Sequence, residues 1–121
     1  MQGGYQTALS LLRSKQPPTA LLCATDILAV GAMRAVREFG LTPGREIAVI
    51  GADNLPLARL LEPELASMSY SYEHAGNVMV DMLERQLEEQ RIVPQHHLID
   101  FKLIERGSMS PRVPQLEEPK G

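Results

Sequence analysis

The chain of 121 residues is long enough for one domain with a hydrophobic core and too short for two ordinary domains. Its 44% hydrophobic and 22% charged residues, with a formal charge of −3, are typical of a soluble globular protein. No basic patch of the kind that binds phosphate groups is present, which argues against DNA binding by this chain alone.

The single cysteine and the amino-terminal sequence bear on the cellular compartment. Cys23 has no second cysteine with which to form a disulfide, so a reducing setting is expected. The first residues lack the basic and apolar regions of a signal peptide, and no run of about 18 apolar residues could span a membrane. We therefore predict a cytoplasmic protein.

The first half of the chain alternates helical and extended patterns. Two continuous apolar runs predict strands covered on both faces, and the amphipathic segment between them ends at Gly40. A strand, a helix and a strand in this order predict two parallel strands joined by a right-handed crossover. In chain order, the predicted elements are a helix at residues 5–14, a strand at 20–24, a helix at 27–39 and a strand at 47–50.

The second half predicts a short extended segment at residues 66–72 and a long amphipathic helix at 73–90, with Ser71 as its N-cap. Alternating apolar residues from Ile99 to Leu103 predict a strand with one wetter face. The fold class is therefore α/β, with a parallel βαβ core, a long amphipathic helix and a C-terminal strand. Residues 1–110 form the predicted domain, and the proline-rich residues 111–121 are predicted to be a disordered tail.

Polar residues follow both predicted parallel strands. Thr25 and Asp26 end the first strand, and Asp53 and Asn54 end the second. Because the carboxyl ends of parallel strands meet at one edge, these side chains predict a rim that could bind the hydroxyl groups of a sugar. Two alternatives remain open: Thr25 or Asp26 as an ordinary helix N-cap, and Asp53 with Asn54 as a local turn.

Other patterns in the sequence point to binding rather than catalysis. Tyr70 and Tyr72 flank the start of the long helix, where they could line a sugar site or staple the helix. No phosphate-binding loop, serine elbow, paired histidines or Cys-X-X-Cys motif is present, so we assign no catalytic residue, metal or cofactor. Val30 and Met33 give the second predicted helix more apolar surface than one sheet contact requires, which indicates a subunit interface.

The stretch "PPTALLCATDILAVGAMRAVREFGLTPGREIAVIGADNLPLARLLEPELASMSYSYEHAGNVMVDML" resembles the effector-binding domain of LacI/GalR family bacterial transcriptional regulators. The likeness covers roughly residues 3–110, and its specificity comes from several motifs in the family's order: "PTALLCATD", "AVGAMRA", "IAVIGADN" and "LEPELASM". The resemblance implies a partial periplasmic-binding-protein-like fold, in which two subdomains close over a small molecule. It also implies that the long helix packs on a first subdomain whose core, like the helix-turn-helix, is not found in these residues.

The resemblance assigns roles position by position. Asp53 matches the family's effector-contacting acid, Thr25 a position where asparagine often contacts the ligand, and Tyr72 an aromatic residue of the cleft. Tyr70 falls where a polar residue often sits, and Asp26 belongs to the same rim. Thr25 and Asn54 depart from the family's asparagine and aspartate, which leaves the effector open. The residues that resemble the family's dimerisation surface are Val30, Met33, Leu57, Leu60 and Leu61.

We therefore expect the ligand-sensing and dimerisation part of a sugar-responsive repressor, acting as a homodimer or higher assembly and not as an enzyme. Its partners would be a carbohydrate effector and operator DNA, the latter through a helix-turn-helix outside these residues; no membrane partner is expected. Two alternatives remain: a sugar receptor of the same fold serving transport, and a small α/β enzyme using Asp26 and Asp53 as acid and base.

Overall fold

The computed structural model describes residues 1–90 and 92–109 and has a mixed sheet with helices around it. The predicted disordered tail, residues 111–121, lies outside the described residues. The helices are α1 (Gln2–Leu12), α2 (Asp26–Glu38) and α3 (Tyr72–Glu88), with a short 3₁₀ helix at Pro56–Arg59. The strands are β1 (Ala20–Leu22), β2 (Ala48–Ala52), β3 (Ala66–Ser69) and β4 (Lys102–Ile104).

The four strands form one sheet in the order β1-β2-β3-β4. β1, β2 and β3 are parallel, and β4 runs antiparallel to β3. The predicted βαβ unit is confirmed, since α2 connects β1 to the parallel β2 with Leu22 opposite Ile50. The C-terminal strand is shorter than predicted: residues 92–101 are neither helix nor strand, and pairing with β3 begins only at Lys102.

Helix α2 packs between β2 and α1, and this double contact corrects one sequence prediction. Met33, predicted at a dimer surface, is 0% exposed and belongs to the hydrophobic core. The additional apolar surface of α2 is therefore used by α1 within the chain, while Val30 is half-buried. The contact is close enough to require glycine, because a Cβ atom on Gly4 would collide with the Leu28 carbonyl. Gly40 ends α2 at φ +85°, as predicted.

Helix α3 differs from α2 because none of its residues is buried. Its N-cap is Ser71, as predicted, whose hydroxyl accepts a hydrogen bond from the His74 amide at 3.1 Å. The exposed hydrophobic residues of α3 form what we call the α3 apolar face. It consists of Met79, Val80, Leu83 and Leu87. None of the described helices is long and apolar enough to cross a membrane.

Candidate functional site

The carboxyl ends of β1 and β2 bring the two predicted polar clusters together. Thr25 is the N-cap of α2, and its hydroxyl oxygen accepts a hydrogen bond from the Leu28 amide at 3.2 Å. Thr25 and Asp53 are both half-buried, so each is within reach of solvent. The capping bond uses one lone pair of the hydroxyl oxygen, so Thr25 can still offer its hydroxyl proton and its second lone pair to a ligand.

The turn after β2 has an unusual backbone. Asp53 and Asn54 have φ angles of +97° and +49°, in the left-handed region that side chains other than glycine rarely adopt. The Asp53 amide donates a hydrogen bond to the carbonyl oxygen of Met68 at 2.9 Å, which ties the start of the turn to β3. Two consecutive strained residues place Asp53 at the rim, where the sequence predicts an effector-binding acid.

Aromatic side chains form one wall of the rim. The rings of Tyr70 and Tyr72 are 4.5 Å apart, and the ring of Phe101 is 4.9 Å from Tyr70. The Tyr72 hydroxyl donates to the Asp53 carbonyl oxygen at 3.4 Å, so this wall adjoins the acid. The sequence prediction had missed Phe101, which comes near only because β4 pairs with β3.

The ionisation of Tyr72 follows from these surroundings. Desolvation, and then the neighbouring Asp53, raise the pKa of the Tyr72 phenol to about 12. At neutral pH the phenol therefore keeps its proton, which it donates to the Asp53 carbonyl oxygen, so its own oxygen is the group it can offer to a ligand. Carboxylate and phenol oxygens beside aromatic faces suit a ligand with both hydroxyl groups and an apolar face.

Asp26 does not lie open at this rim. Its side chain is 0% exposed and accepts hydrogen bonds from the Ser67 hydroxyl at 2.6 Å and from the Leu55 amide at 2.7 Å. The N-cap alternative is also corrected for Asp26, since the cap of α2 is Thr25. The physical reason is that the Asp26 carboxylate packs against Gly51 of β2. A Cβ atom on residue 51 would collide with that carboxylate.

Arg106 is a site residue that the sequence analysis missed. Its side chain is only 6% exposed, and it donates hydrogen bonds to the Asn54 side-chain oxygen at 2.6 Å and to the Leu65 carbonyl oxygen at 2.7 Å. Glu64 lies 3.7 Å from the same guanidinium group. A lone arginine after a short strand carries no local signal, because all its partners are more than 40 residues away in the sequence.

The predicted dimer residues after β2 lie on and after the 3₁₀ helix. Leu60 is 84% exposed, while Leu57 and Leu61 are half-buried. We call these three residues the leucine patch. Leu60 is its solvent-facing member, whereas Leu61 packs against the hydrophobic core.

Other reactive groups in the described residues do not assemble into a catalytic centre. Within residues 1–90 and 92–109, no three histidine, cysteine, aspartate or glutamate side chains are grouped as metal ligands. Cys23 is half-buried, and desolvation raises the pKa of its thiol. It lines an apolar cavity of about 330 Å³ between α1, β1 and α2, with no acid or base among the lining residues.

Comparison with known proteins agrees with this geometry. A family described as "Periplasmic binding protein-like domain" matches residues 2–109. The HTH-type transcriptional repressor PurR of Yersinia enterocolitica is 36% identical over 109 residues, which are 90% of this chain and 32% of that protein. The chain thus spans about a third of the length of the curated relatives it matches.

Solved structures give the same result. The lac repressor dimer bound to operator and the anti-inducer ONPF superposes with a TM-score of 0.77 at 32% identity, covering 91% of this chain and 38% of that one. A regulatory protein of the LacI family from Chloroflexus aggregans gives 0.71 at 35% identity, covering 88% and 39%. Fold and rim together define part of a periplasmic-binding-protein-like effector-binding domain. The chain belongs to the family of periplasmic-binding-protein-like domains.

Proposed function

We propose that this chain is the ligand-sensing and dimerising part of a bacterial transcriptional repressor, and that it binds a small carbohydrate at the rim after β1 and β2. The observation that carries the proposal is the Asp53 carboxyl group on a strained turn, beside the Tyr72 phenol. Thr25 and Tyr70 complete the proposed set of ligand contacts. Asp26 does not contact the ligand, because both of its carboxylate oxygens accept hydrogen bonds from within the chain.

The proposed ligand class follows from the donors and acceptors at the rim. Carboxylate oxygens accept hydrogen bonds from vicinal hydroxyl groups, and the C–H face of a sugar packs on aromatic rings. The lac repressor has been solved with ONPF and with ONPG bound, which makes these two compounds reasonable first probes for a relative. Purine bases belong in the same screen, since the faces of the two neighbouring tyrosine rings also suit a planar ring.

We propose no enzymatic role. An acid–base pair would require both Asp26 and Asp53 to reach one substrate, and Asp26 is fully buried while Asp53 is half-buried at the rim. The relatives reported above are transcriptional repressors. As part of such a repressor, the chain is proposed to act in the cytoplasm and to meet operator DNA only through a helix-turn-helix outside the described residues.

The α3 apolar face and the leucine patch supply the proposed contacts beyond the rim. We propose that the α3 apolar face packs on the first subdomain of the effector-binding domain, and that the leucine patch joins two copies of the chain. The lac repressor that superposes on this chain was solved as a dimer. Separate surfaces for these two contacts would let one copy contact the first subdomain and a second copy at the same time.

The ligand proposal is tested by thermal-shift screening of the 121-residue chain with ONPF, ONPG, ribose, galactose and hypoxanthine. One probe is expected to raise the melting temperature of the wild type by roughly 10 °C at about 100 times its Kd, because ligand binding to the folded state adds about 2.7 kcal/mol. Asp53→Ala should abolish that shift.

The matched control is Asp81→Ala, which removes an exposed acid from α3, away from the rim. This variant should keep the full shift. A probe that stabilises the wild type and Asp53→Ala equally would contradict binding at the rim, and turnover of any probe would contradict the non-enzymatic assignment.

A further inference from the structure

The Asp53–Asn54 turn is held by four hydrogen bonds, which connect it to β3, to α2 and to Arg106 after β4. The Asp53 amide is bound by β3, and the Asn54 amide donates to the Ser67 hydroxyl oxygen at 3.0 Å. The next amide, of Leu55, donates to Asp26 at 2.7 Å. These three bonds fix the backbone of the turn, and a fourth contact, from Arg106, fixes the Asn54 side chain.

Such a set of contacts is what two consecutive left-handed residues require. Each non-glycine residue in this region is disfavoured, and the conformation persists only where surrounding contacts hold it. Ser67 connects two of the contacts, because it accepts from the Asn54 amide and donates its own proton to Asp26. Ser67 and Asp26 therefore hold the backbone amides of the turn, and Arg106 holds the Asn54 side chain.

Arg106 is suited to hold the Asn54 side chain in one position. Its guanidinium group is nearly buried, and its donors are shared between Asn54, which belongs to the turn, and Leu65, whose carbonyl oxygen precedes β3. Hydrogen bonds from a charged donor are stronger than neutral ones, and a buried guanidinium keeps one geometry. Arg106 thus connects the turn to the start of β3 from a position just after β4.

We propose that Arg106 is a positioning residue for effector binding. It does not contact the effector; it holds the Asp53–Asn54 turn in the left-handed conformation that directs Asp53 to the rim. The proposal rests on the proposed function for its biological meaning, whereas its structural content concerns the turn alone. It predicts that the turn loosens locally when the bond from Arg106 to Asn54 is lost.

The test is amide hydrogen exchange of the uniformly ¹⁵N-labelled chain, measured by NMR without ligand. In Arg106→Gln, the Asn54 and Leu55 amides should exchange about tenfold faster than in the wild type, the loss expected for one charge-assisted hydrogen bond. The amide of Val49, which donates to the Ser108 carbonyl oxygen in the core, should change less than about twofold in that variant.

Two further variants keep the test decisive if Arg106→Gln does not fold. Asn54→Ala removes the same hydrogen bond from the other side and should accelerate exchange at Leu55 to the same extent. Asn54→Asp keeps an acceptor for Arg106 and should retain the wild-type rates. Arg37→Gln is the matched control, since Arg37 also donates to a loop carbonyl oxygen, that of Glu62, but does not contact the turn.

Two results would overturn the proposal. Unchanged exchange rates of the Leu55 amide in Asn54→Ala and Arg106→Gln would show that the turn keeps its conformation without the bond from Arg106. Equal acceleration at Leu55 and Val49 would show that Arg106 serves only overall stability. Because exchange is measured without ligand, a failure here leaves the probe screen of the proposed function intact. If instead every probe leaves the wild type unshifted, the proposed function fails while Arg106 still positions the turn.

Discussion

Tyr72 is the residue whose chemistry the rim changes most clearly. Its raised pKa of about 12 means that folding favours the protonated phenol. We predict that the difference in tyrosinate absorbance between the wild type and Tyr72→Phe titrates near pH 12, above the ordinary tyrosine value of about 10. Asp53→Asn should lower this midpoint, because Asp53 is the second cause of the shift. A difference titration centred near pH 10 would contradict the proximity of the two groups.

The same shift fixes the sign of a stability effect. A group whose pKa is raised by folding stabilises the folded state fully below its unfolded pKa, near 10 for tyrosine, and loses that contribution as the pH rises through about 12. Tyr5 acts in the same direction, since its hydrogen bond to Glu38 raises its pKa as well. Stability should therefore fall in alkaline solution above pH 10.

The positions of some site residues could be predicted from the sequence, and those of others could not. Thr25 and Asp53 could be predicted at one rim because the parallel-strand pattern places the ends of β1 and β2 side by side. The structure puts both there, but whether they bind an effector stays a prediction. Burial of Asp26 could not be predicted, because its partners Ser67 and Leu55 are 41 and 29 residues away in the sequence. Long-range contacts of this kind leave no periodic signal.

The bounds of the helices and strands could likewise be predicted where local residues set them, and not where distant contacts did. The predicted helix at residues 27–39 is found as Asp26–Glu38, because its caps, Thr25 and Gly40, are local signals. The first helix begins at Gln2 rather than residue 5, and Gly4 lies within it because a side chain there would collide with α2. Strand β4 is shorter than its alternating pattern, because its partner β3 ends at Ser69, opposite Lys102. A strand exists only where a partner pairs with it.

Helices α2 and α3 have N-caps of the same kind but different burial, and this permits a matched prediction. Thr25→Ala should lower the free energy of unfolding by about 1 kcal/mol, the usual value for a lost N-cap, because α2 is part of the core. Ser71→Ala should leave the core transition unchanged, because α3 has no buried residue and its first turn can loosen alone. Urea denaturation followed by tyrosine fluorescence measures both. Equal losses would show that α3 unfolds together with the core.

At the scale of the whole molecule, two apolar surfaces compete as sites of self-association. The leucine patch follows the rim, and the α3 apolar face lies on a helix without buried residues. Both surfaces expose leucine side chains, and burial of one leucine contributes roughly 2 kcal/mol. Composition alone does not choose between them. The proposed assignment to different partners, a second copy for the patch and a first subdomain for α3, makes them separable by mutation.

Two matched substitutions make that separation. Leu60→Asp and Leu83→Asp place the same charge on leucines that are 84% and 57% exposed, so neither should change the thermal unfolding of the monomer by much. In sedimentation equilibrium we expect the wild type to dimerise. Leu60→Asp should raise the dimer Kd at least about tenfold, because an unpaired carboxylate would have to be buried in the interface.

Leu83→Asp should leave the dimer Kd within about twofold of the wild type if the leucine patch is the interface. The reverse pattern, with dissociation only in Leu83→Asp, would move the interface to the α3 apolar face. A wild type that remains monomeric at every concentration would contradict dimerisation through either surface. A two-fold symmetric interface contains each substituted residue twice, so both copies of Leu60→Asp weaken the dimer. The difference in dimer Kd between the two variants is therefore readily measurable.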